Sequence, residues 1–420
     1  MSSVAIRNTR LVTFTGEGAV RGPVADQVQS QESAAIACDG GLITSVGEAE
    51  ACDIEIDGFE ATAVAGFIDP HTHLPFYGWR ADEDAARLSG VRYETLHAEE
   101  GGIYRSARML AQASDEEVLA FSGQLAQSML AHGTTAFETK SGYGLSVEAE
   151  LRQLRLARRL AESVPQTVVP TCLAAHALPH GKSAGEWVGE AAEHLLPAAA
   201  QEGLAAACDL YVETIAFSLE HAARLAGSAE ASGLAMRMHA DQLEDGQAGS
   251  FAARWGFRSA DHLNHTSRDA AGDLAASDTA AVLLPGATFT LRQNKKPPAR
   301  DLIEGGAIVA LGSDLNPGTS PVHSMPFVMA LACRLYGLRP LEALAAATVN
   351  AAYVLGLEDR VGRLRPGLRA DVVLLDTPTF EEVTYRPDVD PVAVVICGGE
   401  VVHVSEAAQW RLHGASQSSG

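Results

Sequence analysis

The sequence predicts a (β/α)8 TIM-type barrel with a small β-sandwich domain built from both ends of the chain. Eight apolar segments, most of them alternating with amphipathic helices, extend over about 280 central residues, which matches such a barrel in size and strand count. Short alternating stretches with Asp-Gly turns precede this region, and β-type segments return after it. A His-x-His pair follows the first apolar segment, where a barrel places functional residues.

The hydrophobic patterns locate the barrel strands and four of the helices. The strands are predicted at residues 67–69, 135–139, 167–173, 209–213, 235–239, 259–262, 281–285 and 308–313. The helices are predicted at residues 115–132, 146–163, 184–202 and 219–232. Ser114 and Glu117 form a capping-box pattern at the start of the first of these helices.

This pattern divides the chain into four segments. Residues 1–64 and 361–410 are predicted to form the two parts of one composite β-sandwich domain, and residues 65–360 are predicted to form the barrel. Residues 411–420 are predicted to be a disordered tail.

The composition indicates a compact globular protein. Of the 420 residues, 47% are hydrophobic and 20% are charged, and no apolar run has the length that crosses a membrane. The formal net charge of −22 argues against nucleic acids and anionic membranes as partners, whereas one pocket arginine still allows a small anionic substrate. Six scattered cysteines without CxxC spacing, and an N-terminus unlike a signal peptide, predict a cytoplasmic protein with reduced thiols.

The His-x-His pair predicts a metal site. His71 and His73 lie two residues apart at the end of a strand, so both rings point to the same side. Further polar residues follow later strands at the same end of the predicted barrel: Lys140, His176, Glu213, His239, His262 and Asp314. Three nitrogens and one oxygen, with one position left for water, would suit a hydrolytic ion; the residues that would supply them are His71, His73, His239 and Asp314.

One divalent ion is expected rather than two. A two-metal site of this fold needs a bridging lysine after the fourth strand, where Glu213 stands, and Lys140 follows the second strand. Three histidines and one aspartate suit zinc, iron or manganese, and zinc or iron is the expected ion. His262 is the remaining strand-end histidine near this ion and is predicted to act as general base or acid.

This layout of histidines and aspartate resembles that of the amidohydrolase superfamily, and finer motifs look like those of the imidazolonepropionases. KSGYG together with SDxNPGTSP is specific to that family, whereas the His-x-His is not. The motifs are DPHTHL (69–74), KSGYG (140–144), AHA (175–177), HADQ (239–242), SADHL (259–263), VLLPG (282–286) and GSDLNPGTSP (312–321).

The resemblance implies a metal-dependent cyclic amidase of histidine degradation. Such an enzyme opens the ring of 4-imidazolone-5-propanoate to N-formimidoyl-L-glutamate, with metal-activated water attacking the cyclic amide carbonyl. The resemblance places the metal ligands at the four residues already named and substrate contacts at Arg80, Tyr93, Tyr143, His176, Gln242, Asn316, Gly318 and Thr319. In the expected mechanism His262, with Asp314 beside it, moves the protons, and His176 helps to hold the oxyanion. Arg80 is expected to bind the propionate, because a guanidinium matches a carboxylate. A homodimer is expected, because barrels of this kind are often dimers.

The chain departs from the family pattern at several loop positions. Where many members have glutamate after His-Ala-Asp, this chain has Gln242, whose amide can orient a ring but cannot accept a proton. Loop residues also differ at Glu100 and Ile215, and Gln247-Ala248 replaces a Gly-Gly pair. Two alternatives therefore stay open: a mononuclear-metal deaminase or cyclic amidase acting on another imidazole- or purine-like ring, and a scaffold barrel without metal. The intact set of four ligands argues against the scaffold.

Overall fold

The computed structural model describes residues 2–91 and 101–414. The chain begins with five strands of a mixed sheet, and their bounds are β1 (Val4–Phe14), β2 (Val28–Asp39), β3 (Leu42–Gly47), β4 (Ile54–Asp57) and β5 (Thr62–Ala65). The long strand β1 pairs with β2 in antiparallel fashion, while its two halves pair in parallel with β4 and β5. The sheet therefore branches at β1 into two arms.

Eight parallel strands then form the barrel in chain order: β6 (Phe67–Asp69), β7 (Thr134–Lys140), β8 (Thr167–Ala175), β9 (Ala207–Val212), β10 (Ala235–Ala240), β11 (Ser259–His262), β12 (Ala280–Leu283) and β13 (Val309–Leu311). A parallel bridge between Thr72 and Leu315 joins the segments that follow the first and the last of these strands. The predicted strand order and number are confirmed, and the strand ends differ from the prediction by a few residues.

Four strands from the end of the chain complete the first sheet: β14 (Val372–Leu375), β15 (Val392–Cys397), β16 (Glu400–Val404) and β17 (Leu412–Gly414). Antiparallel pairing joins β14 to β5 and β17 to β4, so both ends of the chain build one sheet of nine strands. The prediction of a disordered tail is wrong for residues 412–414, because their backbone extends the arm at β4. The rest of that tail, residues 415–420, lies outside the described residues.

The helices surround the barrel strands. Their bounds are α1 (Ala81–Leu88), α2 (Gly102–Gln112), α3 (Asp115–Ala131), α4 (Val147–Ser163), α5 (Ala184–Glu190), α6 (Leu196–Gln201), α7 (Leu219–Ala231), α8 (Ala248–Arg254), α9 (Arg268–Ala275), α10 (Pro285–Thr290), α11 (Ala299–Gly305), α12 (Met325–Tyr336), α13 (Pro340–Ala346), α14 (Val349–Leu355) and α15 (Glu381–Tyr385). Short 3-10 turns occupy Ala25–Gln27 and Glu406–Arg411. Within the described ranges, no helix is both long and apolar enough to cross a membrane.

The helix prediction is confirmed at one site and wrong at another. The capping box at Ser114 and Glu117 forms as predicted, with each side chain bonded to the other residue's backbone N–H. The single helix predicted over 184–202 is instead α5 and α6 joined by a π-helical turn, Ala191–Leu195. Pro197 lies at the start of α6, and because proline has no N–H to donate, the widened turn before it accommodates the missing bond.

Strand β14 has both faces buried and joins the two parts of the protein. Val373 and Leu375 pack into the large core shared with the barrel helices, whereas Val372 and Leu374 pack into the core enclosed by the terminal sheet. This alternation follows from the two-residue period of a strand. One face of β14 therefore packs against the barrel helices, and the other face packs into the apolar core of the terminal sheet.

Candidate active site and metal centre

Four histidines and one aspartate converge at the carboxyl end of the barrel. His71 and His73 follow β6, His239 lies in β10, His262 ends β11, and Asp314 follows β13. Their side chains are nearly inaccessible to solvent. The ring centre of His71 lies 4.6 Å from that of His239 and 5.4 Å from that of His73, and the rings of His239 and His262 are 5.3 Å apart.

The ligand atoms of these residues fall into two overlapping groups that share His71. One group contains His71, His73 and Asp314, the other contains His71, His239 and His262, and the atoms of each group lie within 4.8 Å of one another. Asp314 Oδ1 lies 3.2 Å from His73 Nε2 and 3.6 Å from His71 Nε2. The structure therefore brings together all four predicted ligands and the predicted general base.

Two carboxylates orient two of the rings. His71 Nδ1 lies 2.5 Å from Asp261 Oδ2, and His239 Nδ1 lies 3.1 Å from Asp209 Oδ2. An imidazole whose Nδ1–H donates to a carboxylate presents its Nε2 lone pair to a ligand. The Nε2 atoms of His71 and His239 are buried, and no described residue forms a hydrogen bond with either of them. Unpaired buried acceptors of this kind fit a metal ion, which would take up both lone pairs.

These carboxylates belong to a buried ionic network below the cluster. Lys140 lies 2.6 Å from Asp209 and 2.8 Å from Glu138, and Arg237 contacts both Glu138 and Asp261. Two cations and three carboxylates leave one excess negative charge. Sequence reasoning missed every member except Lys140, although four of them alternate with apolar residues on their strands, as inward-facing residues do.

The network also explains the position of Lys140. Because its ammonium group is already bound to two carboxylates, Lys140 serves the ionic network and does not reach the cluster as a bridging ligand. Asp314 contributes a further negative charge in the cluster, since its side chain lies among the histidine nitrogens. A divalent cation would balance these two excess charges.

Burial dominates the protonation of the cluster. It lowers the pKa of His71, His73 and His176 well below the usual value, and it lowers the pKa of His262 to about 3. Burial likewise raises the pKa of Asp314. The rings of these four histidines are therefore neutral at pH 7, as metal ligands and proton acceptors must be.

Two of the functional residues have a strained backbone. His262 has a φ of 77° and Asp314 a φ of 57°, in the left-handed region that residues other than glycine rarely occupy. Asp314 N–H donates to the carbonyl of His71 at 2.9 Å, which holds this turn against the first strand. Such strain persists where the surrounding structure enforces it, and it is concentrated at functional sites.

A cavity of about 280 Å³ opens over the cluster. Six of the predicted substrate-binding residues line it: Arg80, Tyr143, His176, Gln242, Asn316 and Thr319. Lining residues that sequence reasoning missed include Arg87, Tyr211, Leu243 and Gln293. Tyr211 lies two residues from Asp209 on β9, so the alternation of that strand is the signal that could have identified it. Tyr93 and Glu100 lie outside the described residues.

The KSGYG segment shapes one wall of the cavity. The His176 ring stacks on the His73 ring with centres 5.1 Å apart, and its Nδ1 lies 3.1 Å from the Gly142 carbonyl oxygen. Gly142 has a φ of 111°, and a Cβ there would lie 2.9 Å from His176 Nδ1. Glycine is therefore required at this position, because any side chain would displace the ring beside the cluster. Tyr143 lies next to His176, with ring centres 5.3 Å apart.

The loop after β13 is held by Asn316. Its Oδ1 accepts hydrogen bonds from the Gly318 and Thr319 N–H groups and from the Thr319 hydroxyl, and its Nδ2 donates to the Asp314 carbonyl. These bonds occupy both ends of the amide. Although Asn316 lines the cavity, the geometry gives it a role in loop structure, and Gly318 lies against the Arg80 guanidinium.

The loop after β10 carries Gln242 into the cavity and is held by Glu213. Glu213 Oε1 accepts the N–H groups of Gln242 at 2.6 Å and Leu243 at 2.9 Å. Burial raises the pKa of Glu213 to about 7. Further along, Gln247 has a φ of 59°, so the chain keeps a glycine-type conformation where the family pattern has glycine.

Comparisons with known proteins agree with this geometry. The sequence profile of the amidohydrolase family matches residues 62–402. An imidazolonepropionase of Rubrobacter xylanophilus is 43% identical over 399 residues, which cover 92% of this chain and 95% of that protein. An imidazolonepropionase of Geobacillus kaustophilus is 37% identical over 421 residues, with 96% and 98% of the two chains covered.

A solved structure confirms the fold. A triazine hydrolase from Arthobacter aurescens superimposes with a TM-score of 0.74 over 96% of this chain and 95% of the other, at 17% sequence identity. At that identity the likeness shows the architecture of barrel and terminal sheet alone. The family profile and the full-length relatives carry the assignment: this chain belongs to the amidohydrolase family and, within it, to the imidazolonepropionases.

Proposed function

We propose that this protein hydrolyses the ring amide of 4-imidazolone-5-propanoate to give N-formimidoyl-L-glutamate, with one divalent zinc or iron ion. Relatives named imidazolonepropionase match this chain at 37–43% identity over most of its length. The observation that carries the proposal is the pairing, in one cavity, of unpartnered histidine nitrogens at the floor with the Arg80 guanidinium in the wall. The floor suits hydrolysis of an amide, and the guanidinium suits an anionic side chain.

The donors that would hold the ion are His71, His73, His239 and Asp314. Asp209 and Asp261 hold the rings of His239 and His71 with Nε2 free to face the ion, which prepares two of the four ligands for binding. When bound there, a divalent ion supplies an acidified water and polarises the substrate carbonyl.

The protein's residues position the substrate and move the protons. Arg80 would hold the propionate carboxylate, and Gln242 and Tyr143 would orient the ring, because all three line the cavity. His262 would take the proton of the attacking water and return one to the departing ring nitrogen, so that the C–N bond breaks without a net change in protons. His176 is not placed to donate to the oxyanion, because its neutral ring already gives its Nδ1–H to the Gly142 carbonyl. It would instead accept a hydrogen bond from an N–H of the substrate ring through Nε2.

The test is a turnover assay with 4-imidazolone-5-propanoate, following the loss of ring absorbance, on protein whose metal content has been measured. Arg80→Met should raise KM strongly and leave the metal content unchanged, at a cost of about 2–4 kcal/mol for a lost charge pair. Arg254→Met is a matched control, because Arg254 is an exposed arginine on α8 that pairs with Asp273. Absence of turnover by wild-type protein loaded with zinc or with iron would contradict the proposal.

We further propose a cellular location, an oligomeric state and a class of partners for this protein. We place it in the cytoplasm, because its six cysteines are free thiols and would stay reduced there. We also propose that it is a homodimer, that its partners include neither nucleic acid nor membrane, and that its substrate is a small anion. Light scattering on the purified protein measures the oligomeric state, and elemental analysis identifies the bound ion.

A further inference from the structure

We infer that Arg87 and Arg80 together form a two-arginine subsite for the carboxylate of the substrate, and that Gly318 holds both guanidiniums in place. This inference rests on the proposed function for the identity of the substrate. Both arginines belong to the same short stretch of chain, since Arg80 is the N-cap residue of α1 and Arg87 lies in its last turn. The two positions are seven apart in the sequence, which is about two helical turns, so they lie on the same face of α1.

Arg80 is buried but incompletely paired. Its side chain is 2% exposed, Nη1 donates to Glu83 Oε2 at 3.1 Å, and Nε is buried without a hydrogen-bond partner in the part of the chain that the structure describes. Glu83 also accepts the Gly102 N–H, so this carboxylate is shared between two donors. Arg80 therefore keeps hydrogen-bonding capacity for a ligand in the cavity that it lines.

Arg87 shows the same pattern. Its side chain is 10% exposed, and Nη2 contacts Asp84 Oδ1 at 2.8 Å and the Gly318 carbonyl at 2.7 Å. Its Nε and Nη1 are buried and have no hydrogen-bond partner among the described residues, 2–91 and 101–414. Unmet donors on a buried cation are costly, and Arg87 lines the same cavity as Arg80. A carboxylate entering this end of the cavity would meet two guanidiniums.

Gly318 connects the two arginines. A Cβ at this residue would lie 2.2 Å from Arg80 Nη2 and 2.3 Å from Arg80 Cζ, so the guanidinium packs directly on the glycine backbone. The carbonyl of the same residue accepts the hydrogen bond from Arg87. The Arg80 N–H in turn donates to the carbonyl of Pro317 at 2.9 Å, which ties the start of α1 to this loop. The position of the loop therefore sets the position of both cations.

The chemistry favours an anion with at least two acceptor atoms. A neutral amide or hydroxyl offers a single acceptor atom and would leave buried N–H donors of one guanidinium unmet, whereas a carboxylate offers an acceptor to each arginine. The subsite would thus select substrates by their carboxylate.

The test measures binding of two inert ligands to the metal-loaded enzyme by calorimetry: imidazole-4-propanoate and its uncharged propanamide. Arg87→Met should weaken binding of the carboxylate by about 10- to 100-fold, as expected for a lost charge-assisted hydrogen bond. It should change binding of the propanamide less than about twofold and leave the metal content unchanged. Arg87→Lys should restore part of the affinity, because it keeps the charge but not the planar group. Gly318→Ala should also weaken carboxylate binding selectively, by displacing Arg80.

The controls separate this inference from the proposed function. Arg254→Met should bind both ligands as wild type does. Unchanged carboxylate affinity in Arg87→Met, or an equal loss for both ligands, would overturn the two-arginine subsite even if the wild type turns over 4-imidazolone-5-propanoate. Arg87-dependent selectivity for the carboxylate, in a wild type that does not hydrolyse the imidazolone, would support the subsite and refute the proposed function.

Discussion

Replacing Asp261 with asparagine tests whether the buried carboxylates prepare the metal site. Asp261 accepts hydrogen bonds from three groups: His71 Nδ1 at 2.5 Å, Arg237 Nη2 at 2.9 Å and the Ser259 hydroxyl at 2.6 Å. Asparagine keeps the shape but removes the charge that favours the Nδ1–H form of His71. Loss of such a partner typically lowers metal affinity about 10- to 100-fold, or about 1.4–2.7 kcal/mol.

The assay is competition for the ion against a chelator of known affinity, with thermal unfolding measured on the same samples. Asp371→Asn is the matched control, because Asp371 is also buried and paired with an arginine, the partly exposed Arg369, but lies just before β14 of the terminal sheet. Both variants should lower the unfolding temperature, since each removes the negative charge that a guanidinium contacts. Only Asp261→Asn should lower metal affinity.

Two outcomes would refute this reasoning. Wild-type metal affinity in Asp261→Asn would show that the orientation of His71 does not depend on the carboxylate. An equal loss of affinity in Asp371→Asn would show that general destabilisation, rather than the contact with His71, weakens the site.

Three further predictions follow from the site. His239→Ala should lose the ion and turnover, because it removes one of the four proposed ligands and breaks the contact with Asp209 that orients it, and elemental analysis after gel filtration measures this loss. His262→Asn should keep the ion and substrate affinity but lower kcat by about 10²–10⁴, whereas Gln242→Glu should be milder; greater damage from Gln242→Ala than from His262→Asn would reverse these roles. Glu213→Gln should remove a pH dependence of stability, because burial raises the Glu213 pKa from 4.5 to about 7. The stabilisation that goes with the raised pKa is present below pH 4.5 and is lost as the pH rises through 7. At pH 8 the free energy of unfolding in urea should therefore be higher for the variant than for the wild type, by up to about 3 kcal/mol, whereas at pH 4.5 it should not be higher.

Hydrophobic pattern was sufficient for the barrel but not for every element outside it. Most residues of the eight strands are buried, and apolar residues occur in each strand, so their positions could be predicted within a few residues. The strand β17 could not, because residues 412–414 have little hydrophobic pattern and gain their structure only by pairing with β4, far away in the sequence. The π-helical turn before Pro197 also has no periodic signal, since it depends on how the helix packs around the missing N–H.

The metal ligands could be predicted because each lies at a strand end, where the barrel topology alone brings residues together. The orienting residues could not be predicted in the same way. Asp209 contacts His239 from the neighbouring strand, and Asp261 contacts His71 across the barrel, so their roles depend on which strands face each other. Arg87 was missed for a similar reason, because a helical arginine near acidic residues is usually a solvated one, and its burial depends on the loop at Gly318.

The ionic network indicates why the barrel interior of this protein tolerates so much buried charge. Buried ion pairs usually contribute little net stability, because desolvation offsets their attraction. Here the pairs have a second consequence: Lys140 and Arg237 partly neutralise Asp209, Glu138 and Asp261, yet leave one negative charge directly beneath the histidines. A network without net charge would not attract a cation. Three carboxylates without cationic partners would repel one another in the protein without its ion. Because the two cations offset most of the negative charge, the carboxylates repel one another little and the barrel can fold before the ion binds. The one remaining negative charge still attracts a divalent ion.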